Sequence, residues 1–237
     1  MPATPLIAYA HVGKSFDDGR VVAVDDVSLD VAEGEFLAVV GGSGSGKTTL
    51  LRLANRLIEA DRGRIAVEGE DVSRIDPILL RRRIGYVFQS GGLFPHLSVA
   101  GNIGITPKLL GWPQAEISAC GQRQRVGVAR ALAAKPRIVL MDEPFGALDP
   151  LTRDALGDDY RTLHRALGLT TIMITHDMTE ALLLADRVAV MHRGRLLALG
   201  TAAELAASTD AYVGELLRTP RRQAERLGAL LPRDATA

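Results

Sequence analysis

The stretch Phe36-Leu37-Ala38-Val39-Val40-Gly41-Gly42-Ser43-Gly44-Ser45-Gly46-Lys47-Thr48-Thr49-Leu50 decides the fold. Five consecutive apolar residues leave no solvated face, so Phe36–Val40 reads as a strand buried on both sides. Gly41 to Thr48 then matches the spacing G-x-x-x-x-G-K-[ST]. A chain that runs strand, glycine-rich turn, helix aims successive backbone N–H groups into one concavity and sets the positive end of the helix behind them. Glycines are needed because a Cβ would block both the turn and a closely approaching anion. The stretch therefore predicts a phosphate-binding loop, with Gly41, Gly42, Ser43, Gly44, Ser45, Gly46, Lys47, Thr48 and Thr49 around a nucleotide. In that pattern Lys47 reaches the β- and γ-phosphates and the Thr48 hydroxyl ligates Mg²⁺.

Outward from this stretch, strands and helices alternate. Ile7–Val12 and Val27–Val31 read as strands, broken by turns at Asp17-Asp18-Gly19 and Glu33-Gly34. Leu50–Ala60 continues the helix begun at the loop, and Arg64–Glu68 and Ile84–Phe88 are further strands. Arg137–Met141 and Thr171–Thr175 read as buried strands. Between them Leu156, Tyr160, Leu163 and Leu167 recur at spacings of four, three and four, one face of a helix. Val188–Met191 and Arg195–Leu199 form a hairpin over His192-Arg193-Gly194. The expected fold is α/β, with a mainly parallel sheet covered on both faces.

A second half of the site stands at Ile138-Val139-Leu140-Met141-Asp142-Glu143. A carboxylate at the C-terminal edge of a parallel sheet lies where ligands bind. Asp142 suits Mg²⁺ held partly through water. Glu143 points elsewhere and can polarise an attacking water as general base. The alternative for Asp142-Glu143 taken alone is a helix cap after a strand.

Composition excludes several classes. Lys+Arg and Asp+Glu both number 28, so the basic signature of a nucleic-acid binder is missing. One cysteine, Cys120, cannot close an internal disulfide and fits a reducing compartment. It has no Cys partner and no nearby His pair to suggest zinc. Met1–Ala10 lacks the basic and apolar regions of a signal peptide. No run approaches the ~18 apolar residues of a membrane span; the nearest, Ala181–Met191, is interrupted by Asp186 and Arg187.

With these motifs in this order, the chain resembles an ABC transporter nucleotide-binding subunit over nearly its whole length. The resemblance implies a P-loop NTPase core of ABC type with an N-terminal antiparallel β subdomain and a helical subdomain. It implies ATP and Mg²⁺ as cofactors. Phe16 matches the aromatic that stacks on adenine, with a core phenylalanine as the other reading. Gln89, after Tyr86-Val87-Phe88, matches the Q-loop glutamine, a metal and water sensor that faces the membrane partner. Gly146-Ala147-Leu148-Asp149 matches the D-loop at a dimer interface, and His176 in Thr175-His176-Asp177 the switch histidine of the γ-phosphate. Finer wording, including Asn55-Arg56-Leu57-Ile58-Glu59 and Gly92-Leu93-Phe94-Pro95-His96-Leu97-Ser98-Val99, is similar to importers of osmoprotectants such as glycine betaine, choline or proline. The implied partners are transmembrane permease subunits, an extracytoplasmic substrate-binding protein and a second ATPase subunit, with the chain peripheral on the cytoplasmic face of the membrane.

Two features depart from that family. Its signature, Leu-Ser-Gly-Gly-Gln, is represented by Ser118-Ala119-Cys120-Gly121-Gln122. The helical subdomain is short, too. Three helices of ~11 residues need about 33 positions before loops, whereas Gln89 to Gly121 spans 32, with Pro95, Pro107, Gly111 and Pro113 breaking up the segment. Residues 1–201 are thus expected to form the ATPase domain, with a helical remnant at about 90–125 capped by Trp112. Nucleotide binding should persist while hydrolysis slows, as expected when a preorganised phosphate donor is lost. Residues 202–237 read as a solvated helix ending in a basic, frayed tail.

Overall fold

The computed structural model describes residues 5–89, 96–109, 126–146 and 148–230. Alternating apolar residues pair β1 (Ile7–Phe16) with β2 (Val21–Val31) across the Asp17–Arg20 turn. Both strands run longer than the apolar pattern suggested, because register shifts between Tyr9 and Ser15 carry the pairing past polar residues to Phe16↔Val21. Then come β3 (Phe36–Val40) and α1 (Lys47–Ala54).

Helix α1 stops at Ala54 instead of reaching Ala60. Asn55 accepts a bond from the Leu57 amide, and Arg56 adopts a left-handed φ of 52°. That turn frees the Arg56 guanidinium to donate to the carbonyls of Val72 and Ile75 at 3.2 and 2.8 Å. Tertiary hydrogen bonds here outweigh helix propensity.

β4 (Arg62–Val67) and β5 (Glu70–Asp71) lead to α2 (Pro77–Arg83), a helix that apolar periodicity did not announce. Its signal is local: Asp76 accepts from the amides of Ile78 and Leu79, and Pro77 opens the first turn. After β6 (Ile84–Val87), α3 (Val99–Leu109) and α4 (Val126–Leu132) represent the helical subdomain among the described residues. Ile103, Ala129 and Ala133 form a small core of their own there. Helix α3 runs through Pro107 rather than breaking before it. The proline stands two residues before the helix end, so the hydrogen bond it removes and the distortion it causes are confined to the final turn.

β7 (Ile138–Asp142), α5 (Pro150–Leu167), β8 (Thr170–Thr175), α6 (Met178–Leu184), β9 (Arg187–His192) and β10 (Arg195–Gly200) complete the sheet. The buried face of α5 is centred on Gly157, Tyr160 and His164, while Leu167 is exposed. Gly157 lets Leu184 approach to where a Cβ would stand 3.2 Å away, and His164 packs on Phe36 with ring centres 5.1 Å apart. Tyr160 and Leu156 of the expected stripe do face the core, and these contacts extend the buried face to Gly157 and His164, leaving Leu167 outside it.

Two sheets result. The antiparallel one has strand order β2-β1-β4-β5, and the other β10-β9-β3-β8-β7-β6, parallel except for the edge strand β10. This is the expected α/β architecture with its antiparallel N-terminal part. α7 (Ala202–Ala206) and α8 (Ala211–Leu230) close the chain. They are not merely solvated: Leu205, Val213 and Leu217 are buried in the core on the β3–β7 face, although Arg218, Arg221, Arg222 and Arg226 are exposed. Among the described residues no helix is long and apolar enough to cross a membrane.

Candidate functional site

Strands β6, β3, β8 and β7 are parallel, so the turns that follow them leave the same edge of the sheet. That topology brings together Gln89, the glycine loop, His176 and the Asp142-Glu143 pair, which are far apart in sequence.

The loop adopts the shape its glycines allow. Gly41, Gly44 and Gly46 have φ of 155°, 74° and 98°. A Cβ on Gly41 would lie 2.1 Å from the Met191 carbonyl oxygen, and one on Gly46 2.0 Å from that of Ala23. Ser43 is exposed at the loop, and Thr48 and Thr49 lie in the first turn of α1. The Lys47 side chain folds back into the loop, donating to the carbonyls of Gly41 and Gly42 at 2.8 and 3.0 Å and to Ser45 Oγ at 3.4 Å. Burial pushes its ammonium pKa down, and the carboxylates of Glu143 and Asp142 pull against that shift.

Thr48 Oγ1 donates to Asp142 Oδ1 at 3.0 Å, joining the loop to the tip of β7. Asp142 is 2% exposed. Burial raises its pKa and the Glu143 charge adds to this, while Thr48, Arg52 and Lys47 oppose them. Arg52 Nη2 lies 3.8 Å from Asp142 Oδ2. The next residue, Glu143, takes a left-handed φ of 46°, held by its amide bond to the Ile174 carbonyl in β8. Its Oε2 accepts from Gln89 Nε2 at 2.8 Å and lies 3.5 Å from His176 Nδ1. Gln89, Glu143 and His176 thus form one cluster beside the Thr48–Asp142 pair.

Phe16 is 38% exposed, not a core residue, and Lys14 Nζ stands 5.5 Å from its ring centre. It shares a cleft of about 310 Å³ with residues 44–49 of the loop and helix, and with Val21, Val22 and Ala23. Val21 and Val22 were not singled out from sequence; their signal is two exposed valines directly after a turn that also presents Phe16.

Three other contacts escaped sequence analysis. The Gly194 amide of the β9–β10 turn donates to the Ser45 carbonyl at 3.0 Å. Met191 crowds Gly41. Tyr212 of α8 receives a hydrogen bond at its hydroxyl from the Gly42 amide, at 3.0 Å. Each joins residues more than a hundred positions apart, which no local pattern announces.

Among the described residues no three His, Cys, Asp or Glu side chains are gathered as a metal cage. The donor set of one hydroxyl and one carboxylate fits Mg²⁺, which takes few protein ligands and completes its shell with water and phosphate. Ser118–Gln122, Trp112, Cys120 and Ala147 lie outside the described residues.

Residues 24–120 match the profile of the ABC transporter family. The glycine betaine/carnitine/choline transport ATP-binding protein OpuCA of Bacillus subtilis is 44% identical over 225 residues, covering 84% of this chain and 59% of its own length. This chain therefore spans less than two thirds of that relative. The glycine betaine uptake system ATP-binding protein YehX of Escherichia coli is 45% identical over 219 residues, with 82% of this chain and 70% of its own length covered. The dimeric ATP-binding cassette MJ0796 in a post-hydrolysis state, bound to ADP and Pi, superposes with a TM-score of 0.73 at 26% identity, over 82% of this chain and 98% of that one. None of these similarities supports the slowed hydrolysis expected from the altered signature.

Proposed function

The chain belongs to the ABC transporter family, among its ATP-binding proteins, and from that premise we propose that it is the ATP-binding subunit of an importer, coupling ATP hydrolysis to uptake of an osmoprotectant such as glycine betaine or choline. The observation that supports the reading is the Thr48–Asp142 hydrogen bond, because it joins the end of the phosphate loop to the carboxylate at the tip of β7.

Each residue has a part. Phe16, with Val21 and Val22, offers an apolar wall to the base. Amides of the loop and the α1 N-terminus hold phosphate, and Lys47 exchanges its loop carbonyls for phosphate oxygens. Mg²⁺, when bound, supplies charge neutralisation on the phosphates; Thr48, Asp142 and the Gln89 amide would hold it. Glu143 orients and deprotonates water, with Gln89 and His176 fixing its carboxylate. We infer that a second ATPase subunit closes over the 310 Å³ cleft beside the loop, with the Gly146–Asp149 loop at that interface. We infer transmembrane permease subunits and an extracytoplasmic substrate-binding protein as the remaining partners, and a peripheral position on the cytoplasmic face of the membrane. Residues 1–201 form the ATPase domain in this scheme.

The test is turnover beside affinity. Lys47→Ala should abolish binding of ATP with Mg²⁺. Glu143→Gln should retain binding and lose about 10²–10⁴-fold in hydrolysis. In cells carrying the cognate permease, the same substitution should stop uptake of labelled glycine betaine or choline. Wild-type turnover no higher than that of Glu143→Gln would sink the transport ATPase assignment.

A further inference from the structure

We propose that Tyr212, on the C-terminal helix, is a positioning residue for the phosphate loop, so that nucleotide affinity depends on how α8 is seated. The inference rests on the nucleotide-binding role of that loop. Gly42 is gripped from two directions. Its carbonyl accepts from Lys47 Nζ at 3.0 Å, and its N–H donates to Tyr212 Oη at 3.0 Å. The first bond lies within the loop; the second reaches an element 170 residues later in the chain.

Tyr212 is not a loose side chain. Its ring lies against His192 at the end of β9, with centres 4.2 Å apart and planes at 40°. Its backbone belongs to the first turn of α8, where the amides of Tyr212 and Val213 both donate to Asp210 Oδ1, at 2.9 and 3.1 Å. Val213 and Leu217, on the same helix, are buried in the core. The hydroxyl therefore cannot follow a moving loop unless α8 moves too. The β9–β10 hairpin adds a second brace, through Gly194 and the Ser45 carbonyl. A loop already held in its binding shape loses less freedom when phosphate arrives, and that saving appears as affinity. By reciprocity, bound nucleotide must tighten the first turn of α8 to the same degree.

Tyr212→Phe removes the hydroxyl and keeps the ring on His192. Titration with a fluorescent ATP analogue and Mg²⁺ should show affinity three- to ten-fold weaker, roughly what one net hydrogen bond is worth, and KM should rise by more than kcat falls. Hydrogen exchange on wild-type protein gives an arm that needs no variant: ATP should slow exchange at amides 211–219. An unchanged affinity in Tyr212→Phe, or no nucleotide-dependent protection of α8, would overturn the proposal. Wild-type protein that binds no nucleotide at all would instead overturn the reading of the loop.

Discussion

Asp142 is a carboxylate kept from water at the tip of a buried strand, and its surroundings favour the protonated form on balance. The folded chain therefore holds its proton to higher pH than the unfolded chain does. Stability contributed by this group is full at low pH and falls as pH rises from the ordinary carboxylate range through the raised value. Asp142→Asn removes that cost while keeping a partner for the Thr48 hydroxyl. Melting curves across pH should show the variant equal to wild type in acid and more stable at pH 7, by on the order of 0.5–2 kcal/mol, with Mg²⁺-dependent nucleotide binding lost. The same burial explains why Lys47 is caught on loop oxygens: a buried ammonium needs acceptors, and before phosphate arrives the loop supplies them.

At the scale of elements, the placement of His176 depends on a cap. His176 itself is exposed, and what places it is the turn between β8 and α6. There Asp177 accepts from the amides of Thr179 and Glu180 at 2.8 and 3.3 Å, and its own amide donates to Thr175 Oγ1. Helix α6 has only seven residues, too short to hold itself together without its cap. Asp177→Ala should destabilise the chain by about 0.5–2 kcal/mol, and Asp177→Asn by much less, since Asn caps equally well. Thermal denaturation of the two variants checks this. If Ala and Asn lose the same amount, the cap is not what positions the turn.

For the whole molecule, the phosphate loop is the place where both sheets and the C-terminal helix meet. Ala23 of β2 closes on Gly46, Met191 of β9 on Gly41, and Tyr212 of α8 on Gly42. A ligand that binds only this assembled site stabilises the entire fold by mass action. ATP with Mg²⁺ at a hundred times its Kd adds about 2.7 kcal/mol, worth roughly 5–11 °C in Tm for a chain of this length. Differential scanning calorimetry should record that rise in wild type and none in Lys47→Ala. The chain also has no net charge and a pI near 7.0, so isolated protein should be least soluble at neutral pH, which turbidity against pH would show.

Much of this was legible in the chain itself. The buried run Phe36–Val40, the glycine spacing after it and the carboxylates ending Ile138–Glu143 are local chemical requirements, and a local requirement leaves its mark on adjacent residues. Helix α2 was local as well, its Asp76-Pro77 start being a cap that hydrophobic periodicity does not register. Tertiary structure alone decided the rest. Whether α1 ends at Ala54 depends on carbonyls at residues 72–75, and which face α5 buries depends on Leu184 and Phe36. That Glu143 meets both Gln89 and His176, and that Tyr212 meets Gly42, follows from strand order and helix seating. Contacts of this kind form between residues distant along the chain, where each partner's identity is compatible with many neighbours until the fold selects one.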